Sequence, residues 1–483
     1  MKLKIIFPKR DKGGNDDVVG KIAMPIAPTY LAALTPQDTE ITIVDMLGGD
    51  IIDYEDEVDL VAITVRTPQS VSAYKIADEF RSRDITVALG GPHVTTLPGE
   101  AKNHADTIVI GEAEDLWHIL LSDFQENKLK DFYVGGPFHT DNLPGEIYHL
   151  PSRPSLSGLP HLRRDLLPRQ RYRMDSIFTS KGCPYSCTFC GTSKLFGSKF
   201  RHRPIDEVVA EIETLPSSYM NFDDTIFGSA HDHHYYYNLY GELAKLSKKR
   251  LWTGEGPLAV LDFDKGKEMI KRAADSGLFR LITGIESVHG PGLTQAGARQ
   301  KLGLLPEENF NSDKIQNAIK TIQDFGIDIM GFFVIGFDSD TLDTFKKTLE
   351  FCQKTKLVPM IAILSPTPDS PLYKKLEAEG RLLPNLSWNQ FISDELIFTH
   401  PSLTGEEMKK AKDEVLNELY GLVPIIERVI NAFRKRPHPT VFFSSLFSQL
   451  GIRKWIKKRE LLSMEGLYGY KESHMTLVSH FAC

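Results

Sequence analysis

Short apolar runs rich in Val and Ile alternate with amphipathic stretches along the first 135 residues. KIIFP (4–8), ITIVD (41–45), LVAITV (60–65), TVALGG (86–91) and TIVIG (107–111) each lead into a polar or glycine-containing turn. Helical patterns lie between them at PTYLAAL, SAYKIADEFRS and EDLWHILLSDF. Continuous apolar strands with helical crossovers predict a doubly wound parallel sheet covered on both faces, over residues 1–135. Such a sheet takes its ligand beyond the carboxyl ends of its strands. Residues 136–175 carry Pro137, Pro144, Pro151, Pro154, Pro160 and Pro168 with little periodicity, and read as a surface linker.

A second alternating series follows. Strands are predicted at SIFTS (176–180), YMNFD (219–223), LWTGE (251–255), RLITGIE (280–286), IMGFFVIG (329–336) and MIAIL (360–364). Helices between them include IDEVVAEIETL, KGKEMIKRAADSG, SDKIQNAIKTIQDFG and TLDTFKKTLEFCQK. Six strand-helix units in series predict a partial (β/α)6 barrel over 176–375, with chemistry at the carboxyl ends of its strands. Beyond residue 376 the strand signal stops and a helical carboxyl-terminal domain, 376–483, is expected. The fold class is α/β.

The segment SKGCPYSCTFCGTSKLFG follows the first strand of the second series, where the first catalytic loop of a barrel lies. Cys183 and Cys187 are separated by three residues, Cys187 and Cys190 by two. Three thiolates hold three irons of a cubane 4Fe-4S cluster and leave the fourth iron open to a small chelating molecule. Zinc is the alternative. It normally takes four protein ligands in two separated pairs, no matching pair follows here, and His202 is the one residue nearby to complete such a site. Cys352, inside a helical pattern, reads as a small core residue. Cys483 carries no signal.

Composition narrows the setting. The chain has 483 residues, 41% hydrophobic and 25% charged, which suits two or three soluble domains. Five cysteines, three of them clustered, do not form a disulfide framework. No run of 18 apolar residues exists and MKLKIIFPKR lacks the features of a secretory signal, so a cytoplasmic location is expected. A formal charge of -7 argues against a nucleic-acid binder.

The cysteine loop, with Phe189 just before its last cysteine, resembles the radical S-adenosylmethionine (SAM) superfamily. GGPHVTTLP, VIGEAE, RPIDEVVAEI, NFDDTIFG, GIES, GFFVIGFDSDT and SPTPDSPLY, in this order, resemble its subfamily with an amino-terminal cobalamin-binding domain, over roughly residues 1–400. The resemblance implies a 4Fe-4S cluster on Cys183, Cys187 and Cys190, with SAM on the open iron. Phe189 would pack near the adenine and cluster, and Asp223 and Asp224 would lie near the methionyl amino group. Glu286 would contact the amino-acid or ribose portion, and Gly331 and Gly336 would admit the nucleoside. A corrinoid site would draw on Thr64, Arg66, Thr67, Gly90, Gly91, His93, Gly111 and Glu112. The DxHxxG signature of a cobalt-ligating histidine is absent, since the first strand runs into PKRDKGGNDDV. Subfamily members that lack it hold cobalamin without a protein ligand to cobalt. His93, a lone histidine after a glycine turn, also reads as a hydrogen-bonding loop residue.

The expected reaction is methyl transfer to an unactivated carbon of a hydrophobic substrate, a lipid or a tetrapyrrole, with flavodoxin or ferredoxin as electron donor. Carbon-carbon coupling, cyclisation or rearrangement, with the first domain as a lid, is the enzymatic alternative. A fully ligated structural or redox-sensing cluster is the non-enzymatic one. Between 427 and 459 lie Arg428, Arg434, Lys435, Arg436, Arg453, Lys454, Lys457, Lys458 and Arg459, interleaved with aromatic and aliphatic residues and a single acid. Two readings stand: a helix lying peripherally on the anionic inner membrane surface, or one docked on the barrel with a solvated basic face.

Overall fold

The computed structural model describes residues 1–11, 21–305, 310–392 and 394–468. Cys483 and the stretch after Asp11 that lacks a DxHxxG histidine lie outside the described residues.

The amino-terminal sheet has seven parallel strands, β1 (Lys2–Phe7), β2 (Glu40–Asp45), β3 (Leu60–Thr64), β4 (Thr86–Gly90), β5 (Thr107–Gly111), β6 (Phe132–Gly135) and β7 (Ile147–Leu150), in the order β2-β1-β3-β4-β5-β6-β7. Side chains alternate between its faces: Ile6, Val61 and Ile63 pack into one apolar layer, Ile5, Leu60 and Ala62 into the other. Strand order reverses between β1 and β3, which opens a crevice at their carboxyl ends. Two strands extend the sheet past the predicted five. IYHL of β7 falls inside the proline-rich stretch read as a linker, and every one of its residues is half-buried. An edge strand of four such residues leaves no apolar run to detect.

The second sheet is also parallel, with β8 (Asp175–Ile177), β11 (Tyr219–Thr225), β12 (Leu251–Glu255), β13 (Leu278–Glu286), β14 (Asp328–Ile335) and β15 (Val358–Ile363) side by side in chain order, the open barrel that the alternation predicts. Between β8 and β11 a two-residue hairpin, β9 (Ser180–Lys181) with β10 (Arg201–His202), pairs Lys181 with Arg201 and so closes the base of the cysteine loop. Cys352 is a buried core residue, as its helical setting suggests.

The helix Gly405–Leu419 runs along the edge strand β15 and the helix Leu342–Thr355, and the helices Leu422–Lys435 and Pro439–Tyr468 cover the far, amino-terminal end of the barrel. There Arg280 pairs with Asp328 at 2.8 Å and donates to the Ser448 hydroxyl at 3.2 Å, while the Tyr420 hydroxyl donates to the Pro359 carbonyl at 2.6 Å. The basic tail therefore divides. Arg428 donates to the Gln449 side chain and the Leu419 carbonyl, Arg436 to the Leu278 carbonyl and Arg453 to the Tyr420 carbonyl, so these three serve packing. Among the described residues no helix is long and apolar enough to cross a membrane.

Beneath the barrel's first strand, Glu211 is wholly buried between Arg164 and Arg203, each at 2.7 Å. The two guanidiniums hold its carboxyl below the usual range despite burial. Removing one partner of such a group strands the others' charge in the interior. Glu211→Ala is expected to lower unfolding free energy by about 3–5 kcal/mol, read as a lower urea midpoint at unchanged slope.

Candidate active site

The cysteine loop is fixed before any metal is considered. Gly182 has φ +103°, and a Cβ there would lie 2.1 Å from the Lys199 carbonyl oxygen, so a glycine is required where the chain leaves β9. Cys183 N–H donates to the Gly197 carbonyl (3.0 Å) and Cys190 N–H to the Cys187 carbonyl (3.2 Å). Thr188 N–H reaches the Ala296 carbonyl (3.0 Å), Leu372 N–H the Thr188 carbonyl (2.8 Å) and Thr367 N–H the Phe189 carbonyl (3.0 Å). The loop is thus stapled to segments that follow β13 and β15. Phe189 packs against Phe337, with ring centroids 6.1 Å apart.

All three thiols are half-buried. Burial pushes the Cys187 thiol up to about 12, with Glu286, Cys190 and Cys183 raising it and Lys301 opposing. Cys183 is raised in the same direction, again chiefly by burial. Thiols that resist ionisation alone, and repel one another as thiolates, are suited to metal charge that offsets both penalties. Three such donors on one loop fit a polynuclear iron site with one open corner.

The strand ends supply acids. Asp223 and Glu255 face the open barrel mouth at the carboxyl ends of β11 and β12. Confinement in that mouth raises both, and the Arg66 guanidinium of the first domain opposes the rise at Asp223. Asp224 points elsewhere: its Oδ2 accepts from the Thr179 N–H (2.9 Å), the Thr179 hydroxyl and the Ser180 hydroxyl (2.9 Å), tying β11 to the root of the cysteine loop. Glu286 takes a left-handed φ of +63° at an irregularity in β13 and accepts from Lys301 Nζ at 2.7 Å. A Cβ on Gly284 would come within 2.1 Å of the Glu286 Oε1, so this glycine makes room for the pair. Lys301 is thereby held beside Cys183 and Cys187 as a half-buried cation.

Neither nucleoside glycine is an open cradle. A Cβ on Gly331 would meet Ile285 and Leu357 at 3.0 and 3.1 Å on the packed outer side of β14. Gly336, at φ +130°, has Leu364 at 3.1 Å. Phe332, one residue past Gly331, is instead the exposed side chain of that strand.

In the first domain, Thr64 ends β3 and Arg66 lies over the Phe7 ring at 4.9 Å, inside the crevice between β1 and β3. Gly91 follows β4 with φ +104°, and a Cβ there would strike Val65 N at 2.9 Å and Thr64 Oγ1 at 3.0 Å. Gly90 has ordinary space, its nearest neighbour being the Val109 Cβ at 3.5 Å. Gly111, at φ +83°, abuts the Gly135 carbonyl oxygen. His93 is buried, 3.3 Å from both the Thr67 hydroxyl and Glu100, with Trp388 at its edge. Both ring nitrogens are therefore engaged within the first domain, while the ring itself packs against Trp388 from beyond the barrel. Glu112 is engaged likewise, meeting Arg201 at 2.7 Å, Arg153 at 3.0 Å and Lys181 at 3.4 Å.

Sequence reasoning passed over Glu255, Lys301 and Lys181. Glu255 ends a predicted barrel strand, and the rule that strand ends carry chemistry points to it. Lys301 lies in a short turn outside any periodic pattern.

Residues 177–352 match the radical SAM superfamily and residues 15–121 the B12 binding domain. Bacteriochlorophyllide d C-12(1)-methyltransferase of Chlorobaculum tepidum is 27% identical over 427 residues, 85% of this chain and 85% of that protein. The C-8(2)-methyltransferase of the same organism is 27% identical, over 87% of this chain and 93% of that protein. The cobalamin-dependent SAM radical enzyme OxsB, solved with aqua-cobalamin and SAM, superimposes with a TM-score of 0.68 over 92% of this chain and 70% of that one, at 15% identity, and so shares the fold. The chain is a radical SAM enzyme whose first domain is of the B12-binding type. It belongs with the cobalamin-dependent radical SAM proteins, and a 4Fe-4S cluster, SAM and cobalamin are the cofactors of that pairing.

Burial pushes the Asp224 carboxyl up to about 6 against its hydrogen bonds, from an ordinary 3.8. The native state thus holds this proton more tightly than the unfolded chain. A stability penalty absent at low pH develops as pH rises and is complete above about 6. Comparing urea unfolding of metal-free wild type with Asp224→Asn, the balance is expected to move toward the variant by roughly 3 kcal/mol between about pH 4 and 6.

Proposed function

We propose that this chain transfers a methyl group to an unactivated carbon of a hydrophobic substrate of the tetrapyrrole or lipid class. One observation carries the reading: the B12-binding domain is clamped to the base of the cysteine loop, with Glu112 on Arg201 at 2.7 Å, and Arg66 of its crevice opposes the rise at Asp223 of the barrel mouth. A methylating enzyme of this kind needs both cofactors on one cavity. When bound, the cluster with SAM supplies a radical that removes a hydrogen atom, and cobalamin supplies the methyl group.

The residues of the chain divide the remaining work. Cys183, Cys187 and Cys190 hold the cluster. Lys301, charge-paired with Glu286, places positive charge beside two of the thiols, where a carboxylate of SAM is attracted. Asp223 and Glu255 offer acceptors at the mouth for ammonium and hydroxyl groups. Phe332, 37% exposed on a barrel strand, gives the mouth an apolar surface suited to a flat, hydrophobic molecule. The two bacteriochlorophyllide methyltransferases support a tetrapyrrole as the first substrate to try. Flavodoxin or ferredoxin is the proposed reductant. The proposed location is the cytoplasm, at a membrane surface where such substrates partition.

Anaerobic turnover with SAM bearing a deuterated methyl group tests the reaction. Cobalamin-loaded enzyme is expected to form product carrying the label, with both S-adenosylhomocysteine and 5'-deoxyadenosine released. Product without the label, accompanied by 5'-deoxyadenosine alone, would establish coupling or cyclisation instead.

A further inference from the structure

Seven of the thirteen exposed large apolar side chains among the described residues fall between 422 and 447. On the helix Leu422–Lys435 they are Leu422 (55% exposed), Val423 (67%), Ile426 (50%), Ile430 (40%) and Phe433 (37%). Their spacing sets them on one arc, while Ile425, Arg428, Val429 and Ala432 on the other side are buried against the rest of the protein. The next helix adds Phe443 and Phe447, each 51% exposed, with rings stacked at 5.9 Å. Phe433 and Phe442 lie 5.7 Å apart and Phe442 and Phe443 5.4 Å, so the two arcs join into one apolar surface.

Cations predominate around this surface, and an exposed acid beside it, Glu427, is paired with Lys356 at 3.5 Å. Lys454 and Lys458 follow Phe447 at intervals of seven and four residues, on the same exposed stripe, and Lys457 is exposed beside them. Arg434 is exposed at the edge of the first arc. Arg428, Arg436 and Arg453 are turned inward onto the helices and barrel, whereas Lys454 and Lys458 are exposed. A contiguous apolar face of this kind on a soluble domain marks an interaction site. A rim of lysines complements anionic headgroups and would oppose itself across a self-association interface.

We propose that this two-helix face docks on a bilayer surface containing anionic lipid, its aromatic and aliphatic arc entering the acyl boundary and its lysines meeting lipid phosphates. The inference deepens the peripheral location proposed above. It rests on exposure and charge, and its test reads binding without turnover, so its failure and that of the methylation reading are distinguishable. Docking would also leave the site free. The face is attached at the amino-terminal end of the barrel, through Ser448 to Arg280 and Arg436 to Leu278, and the cysteine loop lies at the opposite end.

The test is co-sedimentation of the full chain with vesicles of phosphatidylcholine alone or of equal parts phosphatidylcholine and phosphatidylglycerol. Binding is expected to the mixed vesicles and to weaken with added salt. Phe443→Ser with Phe447→Ser should weaken it by roughly tenfold or more, and Lys454→Glu with Lys458→Glu should abolish the preference for anionic lipid, each at an unchanged melting temperature. Two outcomes would overturn the proposal. One is equal partition of wild type and both variants. The other is a wild type that ignores vesicles, whether because it is a dimer that Phe447→Ser makes monomeric or because it binds lipid only after truncation at residue 468.

Discussion

The placement of the cysteine loop depends on two buried carboxylates that belong to the other domain. Glu112 and Glu114 stand just past the end of β5, almost without exposure, and face the barrel. Glu112 meets Arg201 and Lys181, the pair that closes the base of the loop, and Glu114 meets Lys181 and accepts from the Tyr30 hydroxyl at 3.1 Å. Taking two carboxylates out of water is costly, and only close cations offset that cost. Lys181 supplies it for Glu114, whose carboxyl is held below its usual range in spite of burial. The barrel therefore presents its cluster-binding loop in this form when the first domain is docked.

That grip sets the geometry of the cavity. Further contacts reinforce it on the far side, where the Trp388 indole N–H donates to Glu100 at 2.9 Å and packs beside His93. Between the two sets of contacts, the crevice at β1 and β3 faces the acids at the ends of β11 and β12. Residues that look like cofactor ligands from their motif, His93 and Glu112 among them, contribute by holding the two halves in register. Residues that belong to no motif, Glu255 and Lys301, join Asp223 in giving the mouth its charge.

The architecture was largely legible because its information is local. Parallel strands buried on both faces write continuous apolar runs, their crossover helices write a different period, and both survive in a single sequence. The three cysteines are legible for the same reason, lying within eight positions on one loop. β7 was not, since its half-buried residues carry no run. The clamp was not either, because Glu112 and Arg201 are 89 positions apart and Glu114 and Lys181 are 67 apart. The basic tail was legible only in part: sequence shows that a guanidinium is present but not that Arg428, Arg436 and Arg453 turn inward to cap backbone carbonyls.

The dependence of the loop on the first domain is tested most directly by electron paramagnetic resonance of the reduced, reconstituted protein, recorded with and without SAM. In the Glu112→Gln, Glu114→Gln double variant, the account predicts a bound cluster with an altered signal that SAM no longer shifts as it does in wild type. A variant whose signal and response to SAM both match wild type would contradict it.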